Sequence, residues 1–327
     1  MRSVTVIIVN YRAAELIPPT LKRLSAVRQN GSYGVDVVIV DNASADGSVE
    51  LLRHAVQELG AEGWVELLPA ERNTGFAGGN NEGLRAVYTR EEQPDAVFFL
   101  NPDTLLEMDC LEKLADTLFA EESIGIVGAR IENETGDERA STFAFPSLVG
   151  ELTTSLPMVS YLGSASTYKR PSIGKLAYEV EWVSGAAFMV RREALTDVAF
   201  MDDRFFLYFE EIDFQLAIRK AGWTILHNPA ARCMHYAGVS TGVRGGRAVD
   251  KPMPRYWYES WRHYFVSNHG RPYAVGAAAA KLAGLMVRYV VQALRREDRK
   301  GRVGMIPFAR HCLIGAVSEP APERNNP

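Results

Sequence analysis

Four short runs constrain the fold more than anything else in this chain: residues 4–9 (VTVIIV), 35–40 (VDVVIV), 64–68 (WVELL) and Ala96–Leu100 (AVFFL). Runs this apolar and this short mark strands covered on both faces, which is the habit of parallel sheets. Helix-like segments separate them at residues 16–27, 49–59 and 80–88, the second with Asp46 or Ser48 as its N-cap. Strand alternating with helix predicts an α/β sheet with right-handed crossovers. Such sheets bind ligands outside the carboxyl ends of their strands.

Those ends are polar. The first strand closes on Asn10-Tyr11, the second on Asp41-Asn42 and the fourth on Asn101-Pro102-Asp103. One polar strand end is a turn; three on one rim make a site. Asp103, on a rigid strand end, suits a hard divalent cation that prefers oxygen ligands, and Pro102 favours an extended Asn101. Taken alone, an Asp at this spot is ordinarily a turn residue. Asp41 is placed to accept the ring N3–H of uracil or thymine, or else to form an Asx-turn with Asn42, Ser44 and Asp46. The dinucleotide fingerprint GxGxxG does not follow the first strand, and GxxxxGK[ST] is absent. Instead ERNTGFAGGNNEG (71–83) leads into a helix, offering backbone N–H groups to an anion or simply a flexible turn.

Further along, residues 124–130 read as a strand and 132–178 have no legible structure. Residues 180–190 (VEWVSGAAFMV) are strand-like but broken at Ser184-Gly185. A helix begins at about Glu210 and ends at Gly222 as its C′ residue, followed by a strand at 223–227. Glu210, Glu211 and Asp213 open that helix, where its dipole favours acids. The preceding apolar run from Phe205 to Phe209 would also desolvate them and raise a carboxylate toward a useful base. Glu210 and Asp213 share a face while Glu211 points elsewhere. His235, more often a packed residue than a ligand, is adequate as a second protein ligand for Mn²⁺.

Three cysteines, Cys110, Cys233 and Cys312, without CxxC pairing, fit a reducing, cytosolic setting. The N-terminus MRSVTVIIVNY reads as a first strand and not a signal peptide. The net charge of −4 conceals a basic stretch: residues 244–310 carry 14 Lys and Arg against four acids. That stretch is expected to meet an anionic surface, nucleic acid or lipid.

The ordered set VIIVNY, VIVDNAS, RNTGFAGGNN, FFLNPD, WVSGAAFMVRREAL, FFLYFEEIDFQLAIRKAG and HYAGVS resembles family 2 glycosyltransferases of the GT-A fold over residues 3–265. Within that family it is most similar to bacterial cell-wall and O-antigen rhamnosyltransferases. The resemblance implies a Rossmann-like, mainly parallel central sheet flanked by helices, in a catalytic domain at 1–243 with a mainly helical extension at 244–327. It implies a nucleotide-sugar donor, dTDP-rhamnose or a UDP-sugar, held by Asn10, Tyr11, Asp41, Asn73, Gly75, Gly79, Asn80, Asn101 and Asp103. It further implies a divalent cation (Mg²⁺ or Mn²⁺) on Asp103 and His235, and a glycan or lipid-linked acceptor bordered by Trp182, Ser184, Gly185 and Glu210. Glu211 takes the place of the family's general base, with Asp213 the alternative. The chain departs from the pattern twice: Asn101 replaces the first acid of the DxD metal motif, and Glu211 the more usual Asp. A pyrophosphorylase would need a Gly-rich loop after the first strand, and a nucleic-acid-binding module would leave the rim carboxylates without purpose. No nucleic acid partner is therefore expected.

Residues 274–296 are helix-like, with uncharged runs too short to span a bilayer. Lys281, Arg288, Arg295 and Arg302 recur every seven residues, a drifting basic stripe on a continuous helix, unless Gly301 or Pro307 ends it first. Beside Leu282, Leu285, Met286, Tyr289 and Val290, this pattern fits either a core-packed helix with a solvated charged face or peripheral docking at the inner face of the cell membrane. A homo-oligomer is compatible with the sequence, which does not specify one.

Overall fold

The computed structural model describes residues 1–156, 176–236, 253–295 and 302–318. The first half follows the expected alternation: β1 (Ser3–Asn10), α1 (Ile17–Asn30), β2 (Gly34–Asp41), α2 (Ser48–Glu58), β3 (Val65–Pro69), α3 (Gly75–Tyr88) and β4 (Ala96–Leu100). These four strands pair parallel in the order β3-β2-β1-β4, and Asn10 lies in register with Asp41. Even a fully buried strand alternates its faces. Val6 and Ile8 pack with Leu21 and Leu24 of α1, whereas Ile7 packs with Leu84 and Val87 of α3.

The parallel half ends there. After β5 (Thr104–Leu106), α4 (Cys110–Ala120) and β6 (Ile124–Glu132), the run at 180–190 divides. The chain forms β7 (Thr142–Phe143), α5 (Leu148–Ser155) and β8 (Tyr178–Glu179). Next, β9 (Trp182–Val183) pairs with β7 in a separate small sheet. Past Ser184-Gly185 the chain re-enters as β10 (Ala187–Arg191), antiparallel to both β4 and β6. The sheet is thus mixed but mainly parallel, as expected: β5, β8 and β10 run against the other strands. It continues through α6 (Arg192–Val198) and α7 (Glu210–Lys220) to β11 (Thr224–His235). This last strand runs eight residues beyond 227, parallel to β6, with an irregularity between Asn228 and Arg232 where Pro229 interrupts the ladder. Its tail pairs antiparallel with β5, so that His235 faces Thr104. Gly222 takes φ +99° just after α7, as its C′ role requires.

The glycine-rich stretch is a correction, because α3 starts at Gly75 rather than near 80. Its glycines let the helix lie against β1: a Cβ on Gly79 would come within 2.5 Å of Val9, and one on Gly83 within 2.7 Å of Ile7.

The C-terminal part is α8 (Arg255–His269), α9 (Arg271–Leu294) and α10 (Arg302–Phe308), followed by a π-helical turn at Ala309–Ile314. The proposed boundary at 243/244, Gly301 and the side chain of Arg302 lie outside the described residues. The basic stripe is not continuous: α9 ends at Leu294, and Lys281 turns inward, its Nζ 2.6 Å from the Glu151 carboxylate that also accepts the Trp261 indole N–H at 2.9 Å. At 24 residues α9 is, by length and composition alone, long and apolar enough to cross a membrane, contrary to the sequence expectation. Glu151→Gln keeps one acceptor but opposes an amide to the ammonium. It should cost about 1–3 kcal/mol of stability, read in urea as a lower midpoint at constant slope; an unchanged midpoint would show that the pair contributes nothing.

Candidate active site

The carboxyl rim of β1, β2 and β4 opens into a cavity of about 510 Å³. Tyr11, Asn42 and Asn73 line one side, Asn101, Asp103 and His235 the floor, and Phe206, Tyr208 and Tyr256 the other side.

Asn10 and Asp41 lie behind the wall. Asp41 is buried, and its Oδ1 accepts from Asn10 Nδ2 and the Ser44 hydroxyl, each at 2.6 Å, while Oδ2 accepts the Ser44 N–H at 3.1 Å. Asn10 Oδ1 in turn accepts the Ala13 N–H at 3.1 Å. This knot holds two loops whose Arg12, Ala43 and Ala45 all adopt positive φ, a strain that structures carry where geometry is over-determined.

Asn42 is a residue the sequence reading passed over as a turn. Its amide donates to Gly75 O at 2.8 Å and Asn73 Oδ1 at 3.2 Å, and its oxygen accepts the Thr74 N–H at 3.0 Å. Asn73 also caps Gly75 N–H at 2.9 Å. Gly79 and Asn80 do not reach the cavity: the first packs on Val9, and the second donates to Phe76 O at 2.9 Å.

On the floor, His235 Nε2 lies 3.0 Å from Asp103 Oδ1 and 3.4 Å from the Asn101 amide nitrogen. The β5–β11 register makes this pairing, and Tyr236 N–H closes it on Asp103 O at 2.9 Å. Asn101 Oδ1 is buried without a hydrogen-bond partner, a state that calls for an explanation in a folded protein. The Asn101 N–H donates to Ala186 O at 2.9 Å, which ties the strand end to the Ser184-Gly185 break.

That break receives the acids. A Cβ on Gly185 would lie 3.1 Å from Glu211 Cγ, so glycine makes room for this side chain. Glu210 and Glu211 each keep a buried carboxylate oxygen without a partner. Burial raises both carboxyls above the ordinary carboxylate range, and Glu210 is pushed further by the neighbouring Glu211. Asp213 is committed elsewhere, accepting from the Asn268 amide of α8. Ser184 accepts the Ala186 N–H at 3.3 Å, and Trp182 stacks on Phe143 with centroids 4.3 Å apart and donates to Ala144 O. Neither Ser184 nor Trp182 lines the cavity.

The loop before α7 is pinned from behind. Burial alone would raise the Asp202 carboxyl, but hydrogen bonds from His263 at 2.7 Å and Arg204 at 2.6 Å hold it well below the usual carboxylate range. Phe205, Phe209 and Ile212 share one apolar cluster with Tyr258, Trp261, Tyr264 and Phe265 of α8. Tyr208 and Phe209 adopt positive φ, and Tyr208 stacks on Tyr256 across the cavity edge. Tyr256 had no signal in the sequence, since only the fold brings α8 to this rim.

Three comparisons bear on this arrangement. The chain is 28% identical over 216 residues to an N-acetylglucosaminyl-diphospho-decaprenol L-rhamnosyltransferase of Mycobacterium tuberculosis, covering 64% of this chain and 68% of the relative. It is 25% identical over 217 residues to the low-salt glycan biosynthesis hexosyltransferase Agl10 of Haloferax volcanii, covering 66% and 61%. The fold matches the mannosyltransferase PcManGT of Pyrobaculum calidifontis, solved with GDP-Man and Mn²⁺, at a TM-score of 0.51, 17% identity and coverage of 96% and 85%. It also matches S. aureus TarS 1-349 in complex with UDP, at 0.52, 14% identity and coverage of 91% and 76%. The mixed sheet with its polar rim is therefore the GT-A architecture. Since the model of the family described as glycosyl transferase family 2 matches residues 5–199, more than half of the molecule, the chain belongs to that family and is a glycosyltransferase.

Proposed function

We propose that the protein transfers L-rhamnose from dTDP-β-L-rhamnose to a hydroxyl of a glycan or lipid-linked glycan, at the cytoplasmic face of the cell membrane, by a single inverting displacement. The observation that carries this reading is the junction at the end of β4. There the Asp103–His235 pair and the unpartnered Asn101 oxygen share a strand end whose Asn101 N–H bonds Ala186 O, and the neighbouring Gly185 meets Glu211, whose Oε2 is buried and unpartnered. The similarity to a rhamnosyltransferase supports the choice of sugar.

The donor set fits a divalent cation. A carboxylate, an imidazole and an amide oxygen suit Mg²⁺ or Mn²⁺ when diphosphate and water complete the shell. Asp103, His235 and Asn101 would hold it, and it would supply Lewis-acid stabilisation to the departing diphosphate. No cluster of three or more His, Cys, Asp or Glu is gathered among the described residues, so cation and nucleotide should bind together. Glu211, held basic by burial, takes the proton of the acceptor hydroxyl as that oxygen attacks the anomeric carbon from the face opposite the diphosphate. Tyr11, Asn42 and the Asn73–Gly75 turn receive the nucleotide. For Asp41 to read the base N3–H, the base must reach its buried Oδ2, which accepts one hydrogen bond, from the Ser44 N–H.

Calorimetric titration of dTDP, UDP and GDP, each with and without Mn²⁺, tests this on wild type and Asp103→Ala. The expected result is Mn²⁺-dependent binding of dTDP that the variant loses. Preference for UDP would keep the mechanism and replace the sugar; equal metal-dependent binding by the variant would refute the cation site.

A further inference from the structure

The cavity has one polar side and one aromatic side. Phe206, Tyr208 and Tyr256 form the second, and all three keep accessible surface, Phe206 by 41%. Tyr208 and Tyr256 are an offset pair of nearly parallel rings, 17° apart in plane with centroids at 6.1 Å, and Phe206 leans on Tyr256 with centroids at 5.6 Å. The loop that presents them is strained. Tyr208 and Phe209 follow one another with φ of +72° and +73°, a left-handed backbone that bulky side chains avoid, and each such residue costs about 1–3 kcal/mol. Phe205 and Phe209 hold the loop there by packing into the α8 cluster, while Phe206 and Tyr208 line the cavity. Burial raises the Tyr208 phenol above its ordinary range, and Tyr256, Glu210 and Glu211 raise it further. Tyr208 thus lines the cavity within electrostatic reach of both acids.

We infer that the wall of Phe206, Tyr208 and Tyr256 seats the acceptor, whose sugar ring lays a face of axial C–H bonds on the aromatic rings. The chemistry of the wall selects a pyranose. Equatorial hydroxyls project from the edge of such a ring, which leaves a flat apolar face to cover an aromatic one. A gluco-configured ring, with every hydroxyl equatorial, presents that face on both sides. An anion finds no donor on this wall; Asn42, Asn73 and the Asp103–His235 floor lie across the cavity from it. The occupant is the acceptor rather than the nucleotide because Tyr208 adjoins the acids, and the hydroxyl that Glu211 deprotonates must come to them. The inference deepens the transferase reading and rests on it for the role of Glu211; the wall itself does not depend on that reading.

The test is saturation-transfer NMR on the full chain with methyl β-D-glucopyranoside as probe, with and without Mn²⁺ and dTDP. Saturation is expected to reach the axial ring protons of the probe whether the nucleotide side is filled or empty. Phe206→Ala and Tyr256→Ala should each weaken probe binding about tenfold, through loss of a stacked ring and its buried area, whereas Tyr256→Phe should retain it. Phe206 is exposed, so Phe206→Ala should leave the melting temperature and calorimetric dTDP affinity unchanged even if Tyr256→Ala folds poorly. Three results would overturn the inference: no saturation of the probe by wild type, equal probe binding by both alanine variants, or weaker dTDP binding in those variants with the probe unaffected, which would give the wall to the nucleotide base. Wall-dependent probe binding in a protein that does not bind dTDP with Mn²⁺ would uphold the sugar seat and remove the donor assignment instead.

Discussion

Glu211→Gln is expected to lower kcat by about 10²–10⁴-fold, the usual contribution of a general base, while nucleotide binding stays at the wild-type level. The amide keeps the shape that Gly185 accommodates and removes only the proton acceptor. The pH dependence adds a second signature. Burial raises the Glu211 carboxyl, so the base is active only above a pKa higher than that of a free carboxylate, and wild-type rate should fall as pH drops through that raised value. The variant should lack this limb. Stability moves the other way. A carboxyl whose folded pKa is raised stabilises the fold below its unfolded pKa and loses that contribution as pH rises toward the folded one. At neutral pH the buried charge is therefore a liability, and Glu211→Gln should melt no lower than wild type. Normal turnover in this variant would move the base elsewhere; Asp213, taken up by Asn268, would then have to be released first.

Gly75→Ala should be the most disruptive single methyl group on the donor side. Gly75 has φ +75°, and a Cβ there would sit 1.9 Å from the Phe206 carbonyl oxygen, itself bonded to the Phe76 N–H. Left-handed strain and steric overlap each cost about 1–3 kcal/mol. Together they predict a loss of about 2–6 kcal/mol, measurable by chemical denaturation. The 206–208 loop must move to relieve the clash, so dTDP should bind more weakly in the fraction that remains folded. Unchanged stability would mean that this loop does not pack on the helix start.

The strands β1, β2 and β4 were legible because each is a largely apolar run with a polar end, and those ends do form the rim. The pairing of Asp103 with His235 was expected only through the family resemblance, because the two are 132 residues apart and meet through the β5–β11 register. Glycines misled at residues 75–83: in sequence they signal a loop, whereas here they let a helix approach β1 closely. The acids at 210–213 were visible, but their surroundings were not: Gly185 lies against Glu211 and Asn268 beside Asp213, residues that only folding brings near. The antiparallel entry of β10 was not legible, because 180–190 has the composition of one strand and its break at Ser184-Gly185 sends the two halves into different sheets.

The aromatic cluster shared by residues 205–212 and α8 has a bearing on inheritance. The family model ends at residue 199, short of the helix that carries Glu211 and of the aromatic seat that orients it. Of the groups proposed to hold the leaving group, Asn101 and Asp103 fall inside that match, whereas His235 lies beyond it, as do Tyr208, Tyr256 and the proposed base. A change in α8 would therefore reach both places at once, the cavity rim through Tyr256 and the start of α7 through the shared aromatic cluster.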